Sequence, residues 1–205
     1  MPRVAIIDYG LCNLDSIRRA VEMCGGDPFV TDEPDRLDEA NLLILPGVGA
    51  FGVAMENLKA HGMDQAIREQ VASGIPMLGI CLGMQLLASH SCEGGRHAGL
   101  DLIPGDVVLL NERGGNDRVP HIGWNSVRCD QADDPLLGGL TDETDFYFVH
   151  SYHVACKDSG NAIASTPYCG GFTSVIRRDN VAGTQFHPEK SQRAGFHLLT
   201  NFLEQ

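Results

Sequence analysis

The chain has 205 residues, length enough to bury a sizeable core as one domain (1–205), and its 43% hydrophobic and 20% charged residues are ordinary for a globular protein. A formal net charge of −12 leaves no basic footprint for nucleic acid, and the absence of any run of about 18 apolar residues argues against a membrane span. Seven cysteines, an odd number with no Cys-x-x-Cys pair, argue against a disulfide framework or a zinc site. They are expected to be mostly reduced, small core residues. The short apolar stretch Val4-Ala5-Ile6-Ile7 is ended by Asp8, unlike a secretory signal, so a cytoplasmic location is expected.

The first half alternates strand and helix signals. A strand over 4–7 is closed by Asp8-Tyr9-Gly10, after which Leu14, Ile17, Ala20 and Val21 recur at helical spacing until Gly25-Gly26. Strands follow over 28–31, 42–45 and 77–80, with helices over 52–59, 64–72 and 84–89. Apolar strands without polar alternation, each followed by a helix, predict a mostly parallel sheet with helices on both faces. The second half reads as strands over 106–110, 126–129, 146–150, 153–155, 163–165, 173–176 and 181–185, joined by Gly, Pro and Asn turns. This predicts an antiparallel section abutting the parallel core, closed by a helix over 192–203. Residues 111–118 are the most loop-like segment.

Three motifs carry chemistry. Cys81 lies between a strand and a helix, with Gly79 and Gly83 two residues to either side. A sharp strand-to-helix turn needs small neighbours, exposes its central side chain, and sets it at a helix start that favours thiolate. Read alone, an ordinary buried cysteine is an equal contender. The other six cysteines lack such a setting. His187-Pro188-Glu189 follows a late strand; proline holds the preceding residue extended, so His187 and Glu189 project to one side and the carboxylate can fix the imidazole tautomer. Alone it would pass for a surface turn. Together the two motifs supply a nucleophile, a base and an orienting acid.

Pro46-Gly47-Val48-Gly49-Ala50-Phe51-Gly52 contains the letters of a dinucleotide loop, but it is not the first strand–helix turn and no strand-end acid follows about twenty residues later. A loop that aims backbone N–H groups at an oxyanion fits better. His150 and His153 could bind metal, yet no third ligand converges; a substrate-contact or structural role is favoured. No metal and no cofactor are expected.

Cys81, His187 and Glu189 in these contexts resemble the class I (triad) glutamine amidotransferases. Ile7 to Ser16, Leu45 to Phe51, Pro120-His121-Ile122-Gly123-Trp124-Asn125, Tyr147 to Tyr152 and Gly183 to Gln192 narrow the likeness to that family's histidine-pathway branch. The resemblance implies a flavodoxin-like α/β fold and hydrolysis of L-glutamine to glutamate and ammonia. It also implies a (β/α)8-barrel synthase partner, bound as a heterodimer. The partner would use the ammonia to make imidazole glycerol phosphate and aminoimidazole carboxamide ribonucleotide. Within it Cys81 would be the nucleophile, His187 the proton carrier and Glu189 its orienter; Leu82 and a reoriented Val48 would give the oxyanion N–H groups. Gly49, Gln85, Ser151 and Tyr152 would hold glutamine, and Asn13, Trp124 and Lys190 would face the partner. A paralogue serving a cell-surface sugar synthase is the alternative. The family usually has glycine where Cys12 stands, a strained place for cysteine if it requires positive φ.

Overall fold

In the computed structural model, which describes residues 1–110 and 117–205, the first half builds four parallel strands: β1 (Arg3–Ile7), β2 (Asp27–Thr31), β3 (Leu42–Gly47) and β4 (Met77–Cys81). Between and after them run α1 (Leu14–Met23), α2 (Phe51–Ala60), α3 (Met63–Ala72) and α4 (Leu82–Leu86). The second half adds β5 (His90–Ser91), β6 (His97–Ala98), β7 (Gly105–Leu109), β8 (His121–Cys129), β9 (Thr144–His150), β10 (Tyr152–Cys156), β11 (Ala162–Thr166), β12 (Phe172–Arg178) and β13 (Val181–Thr184). α5 (Gln192–Leu203) follows.

One nine-stranded sheet runs in the order β2-β1-β3-β4-β13-β12-β11-β8-β9. The strands from β2 to β13 pair parallel, and from β13 to β9 antiparallel. The antiparallel section therefore abuts the parallel core through continuous hydrogen bonding, with β13 as the hinge between the two regimes. A smaller sheet, β10-β7-β5-β6, stands beside it.

Strand residues feed two cores, which explains why β1 and β3 show no polar alternation. Val4, Ile6, Leu42 and Ile44 meet α1 and α5 on one face. Ala5, Ile7, Leu43 and Leu45 meet α2, α3 and α4 on the other. Each Leu or Ile fully removed from water there contributes roughly 1.5–3 kcal/mol. Helices thus cover both faces, as the strand pattern predicts.

Several boundaries differ from expectation, and the one nearest the site is that of α4. The helix expected over 84–89 is instead α4, starting at Leu82 and ending at Leu86. It stops because the carbonyls of Leu86, Leu87, Ala88 and Ser89 accept N–H groups of residues 99–103 rather than of a following turn. Of the loop-like segment 111–118, residues 111–116 lie outside the described residues. Its end is anchored: Tyr168 donates to the Arg118 carbonyl at 2.7 Å and the Cys169 N–H to Asp117 at 2.8 Å. All seven cysteines are unpaired, but only Cys81 and Cys169 are buried and Cys92 is exposed, fewer core thiols than composition implies. Among the described residues no helix is long and apolar enough to cross a membrane.

Candidate active site

Cys81 is the last residue of β4 and directly precedes α4, with φ 55° and ψ −110°. A non-glycine residue held there stores about 1–3 kcal/mol of strain, which the packing around it must overcome. The flanking glycines show how tight that packing is. A Cβ on Gly83 would stand 1.7 Å from the Leu45 carbonyl oxygen, and one on Gly79 would stand 2.7 Å from the Gly83 backbone. The turn therefore forms only with both positions bare. Cys81 is less open than the motif suggests, only 6% exposed. Its thiol donates to the Val149 carbonyl at 3.8 Å, and Gln185 Nε2 donates to Sγ at 3.8 Å.

Because β13 lies beside β4 in parallel register, the chain after β13 arrives next to the Cys81 turn. His187 is extended (φ −97°, ψ 98°), as a residue before proline should be, and Pro188–Lys190 makes one short helical turn. The His187 N–H donates to the Tyr147 carbonyl at 2.9 Å. Ser191 Oγ donates to the His187 carbonyl and accepts the Tyr147 N–H, fastening the turn to β9. So held, His187 Nδ1 donates to Glu189 Oε1 at 2.8 Å, with both side chains almost fully buried. His187 Nε2 is buried and makes no fully formed hydrogen bond, yet Cys81 is foremost among the groups that favour its protonated ring. Burial pulls the imidazole pKa down, but Cys81 and Glu189 more than offset this and leave it raised to about 9. The three triad candidates are therefore neighbours.

A cavity of about 300 Å³ opens over Cys81. Val48, Gly49, Leu82, Gln85, Ser151 and Tyr152, all singled out from sequence, line it. Gly49 has φ 113°, which a side chain would strain. Gln85 Nε2 donates to the Tyr152 carbonyl at 2.9 Å and to Gln185 Oε1 at 3.1 Å, tying α4 to β10 and β13. The Val48 N–H donates to the Leu11 carbonyl at 2.8 Å, away from any oxyanion. Cys12, beside Leu11, does not have positive φ. The feared strain is absent, and its thiol donates to the Pro46 carbonyl at 3.4 Å and, more weakly, to the Ile7 carbonyl at 3.7 Å.

Sequence reading missed Glu93, Gln185 and Pro120, and left His150 undecided. Glu93 lines the cavity and accepts the Phe51 N–H at 2.8 Å, capping α2. His150 also lines it. His150 Nδ1 faces the Tyr152 carbonyl at 2.9 Å, so Nδ1 carries the proton there. That leaves Nε2 to accept from His121 Nδ1 at 3.1 Å. Burial above all pushes the His150 pKa down to about 3. It is a neutral strut for the Ser151–Tyr152 segment. Among the described residues no group of three or more His, Cys, Asp or Glu side chains could hold a metal ion.

Asn13, Trp124 and Lys190 lie outside the cavity. Asn13 is exposed at the start of α1 and makes no cap hydrogen bond. Trp124 is 48% exposed, too open for a core aromatic, and meets the Tyr147 ring edge-on at 6.0 Å. Lys190 Nζ lies 5.9 Å above that same ring.

Comparison with known proteins agrees with this geometry. The family model described as glutamine amidotransferase class-I matches residues 5–205. An imidazole glycerol phosphate synthase subunit HisH from Moorella thermoacetica is 48% identical over 204 residues, covering 100% of this chain and 95% of the relative. One from Sulfurimonas denitrificans is 47% identical over 203 residues, covering 98% and 97%. Among solved structures, PurLQS from Thermotoga maritima superposes with a TM-score of 0.77 at 20% identity over 99% of this chain and 98% of that one, a likeness of fold. The chain belongs to the class-I glutamine amidotransferase family.

Proposed function

We propose that this chain, acting as one catalytic unit in the cytoplasm, hydrolyses L-glutamine and delivers the ammonia to a (β/α)8-barrel synthase subunit in histidine biosynthesis. Imidazole glycerol phosphate and aminoimidazole carboxamide ribonucleotide would be the products of the heterodimer. The observation that carries the reading is Cys81 on its strained turn beside a buried, Glu189-oriented His187.

In this reading the Cys81 thiol proton passes to His187 Nε2, and the Sγ so freed attacks the side-chain amide carbon of glutamine. The oxyanion is held by the Leu82 N–H, at a helix start where no helix carbonyl uses it, and by the Val48 N–H once it leaves Leu11. His187, which keeps its proton below about pH 9, gives that proton to the departing ammonia. Water then attacks the thioester, His187 Nε2 takes its proton, and glutamate leaves. Gln85 and the Ser151–Tyr152 backbone would position the glutamine, and Glu93, which lines the cavity, would pair with its α-ammonium group. Asn13, Trp124 and Lys190 would face the synthase, and the relatives named HisH support that partner over a sugar synthase. A sealed path matters because ammonia protonated by water is no longer a nucleophile.

An electrophilic glutamine analogue tests the chemistry. Peptide mapping should find the label on Cys81 alone of seven cysteines, glutamine should slow the labelling, and Cys81→Ala should release no glutamate. Labelling at Cys92 instead, or glutamate release by the Cys81→Ala variant, would refute the assignment.

A further inference from the structure

Three buried side-chain atoms among the described residues lack a hydrogen-bond partner: His187 Nε2, Glu189 Oε2 and the Tyr9 hydroxyl. The first two belong to the Cys81 centre. Tyr9 does not; it stands in the Ile7 to Ser16 run, where the resemblance gives it no role. It lies two residues past β1, is 3% exposed, and packs in the core shared by Leu45 and Leu82. A Cβ built on Gly47, the last residue of β3, would lie 2.0 Å from the Tyr9 hydroxyl and 3.1 Å from Leu82 Cβ. The hydroxyl therefore sits against the root of the Val48–Gly49 loop, close to the start of α4.

Little there can satisfy it. Its electrostatic neighbours are Cys12, Cys81 and Asp8, and of these only the Cys12 thiol engages it, by a side-chain contact short of a formed hydrogen bond. The Cys12 sulfur is only a weak acceptor, and its one proton is given to the Pro46 and Ile7 carbonyls rather than to the phenol oxygen. Burial, then Cys12 and Cys81, raise the phenol pKa well above its usual value, so the hydroxyl keeps its proton. A buried hydroxyl without a partner costs stability and calls for a reason.

The reason is next to it. Gly47 supplies the carbonyl of the peptide plane that carries the Val48 N–H, and that N–H now points to the Leu11 carbonyl. Turning the plane to aim the N–H at an oxyanion swings the Gly47 carbonyl towards the side the N–H leaves. Leu11 offers another acceptor there, so the carbonyl needs a donor. Resting on the oxyanion reading above, we infer that Tyr9 is a positioning residue whose hydroxyl donates to the Gly47 carbonyl only in the turned state, stabilising the complete oxyanion hole.

Tyr9→Phe keeps the ring and removes only the hydroxyl. Glutamate release is measured for wild-type and Y9F chains, each in complex with the barrel synthase and its acceptor nucleotide, and Tm for each chain. For Y9F, kcat should fall roughly tenfold or more, with KM for glutamine within about twofold and Tm equal or higher, because an unsatisfied group has gone. Full activity in Y9F, or a lost kcat accompanied by a lower Tm, would overturn the inference. If the wild-type complex itself releases no Cys81-dependent glutamate, the functional reading falls and takes this inference with it.

Discussion

His187 keeps its proton against the pull of burial because Cys81 and Glu189 both favour the charged ring. Its folded pKa, about 9, lies above the usual value near 6.5, so the stability it contributes is fully present below about pH 6.5 and is lost as pH rises through 9. The same proton is the one proposed to leave with ammonia, so kcat/KM should fall on an alkaline limb near pH 9. Glu189→Gln removes a cause of the raised pKa; it should move that limb to lower pH and cut kcat roughly 10²–10⁴-fold. A pH–rate profile of the two proteins decides it, and an unmoved limb would contradict the role. His150 does not confuse the profile, since burial keeps it neutral down to about pH 3. Cys81, His187 and Glu189 were legible because a strained turn and a proline-locked pair demand particular neighbours in sequence. Gln185 and Glu93 were not. Gln185 reaches Cys81 across 104 residues and Glu93 reaches Phe51 across 42, contacts that no local pattern encodes.

The Cys81 turn exists because β3, β4 and α4 close to backbone contact. Gly83 is where that contact is tightest, with the Leu45 carbonyl occupying the space of its missing side chain. Gly83→Ala must push β3 from α4, and overpacking of this kind typically costs about 1–3 kcal/mol or more. Thermal melting should show Tm lowered by roughly 3–10 °C, together with loss of glutaminase activity; an unchanged Tm would show that the turn is looser than described. Strands and helices of the first half were readable from apolar runs and helical spacing. The two-residue strands β5 and β6 were not, because two residues carry no period. Nor was the first half of β8, residues 121–125, where histidine, glycine and asparagine dilute the strand signal. The early end of α4 depends on residues 99–103 folding back onto its last carbonyls, which the sequence of α4 cannot announce.

At the scale of the whole molecule, the sheet converges its chemistry at the ends of β3, β4 and β13. Each of those strands runs parallel to its neighbour, so their carboxyl ends meet in one place. The exposed Trp124, and Lys190 over Tyr147, lie on β8 and just past β13 and would give the proposed partner a surface beside that place. The alternation of strands and helices made the parallel half legible from sequence, whereas the order of the antiparallel strands depends on long-range pairing. The contact from the Val48 N–H to Leu11 leaves the proposed oxyanion hole one donor short, so the chain at rest should be a poor glutaminase. The central measurement is glutamate release by the chain alone, with the barrel synthase, and with the synthase plus its acceptor nucleotide. The account predicts a rise of roughly 10²-fold or more in the last condition, the weight of one oxyanion donor, abolished by Cys81→Ala. A lone chain already as active as the full complex would contradict it.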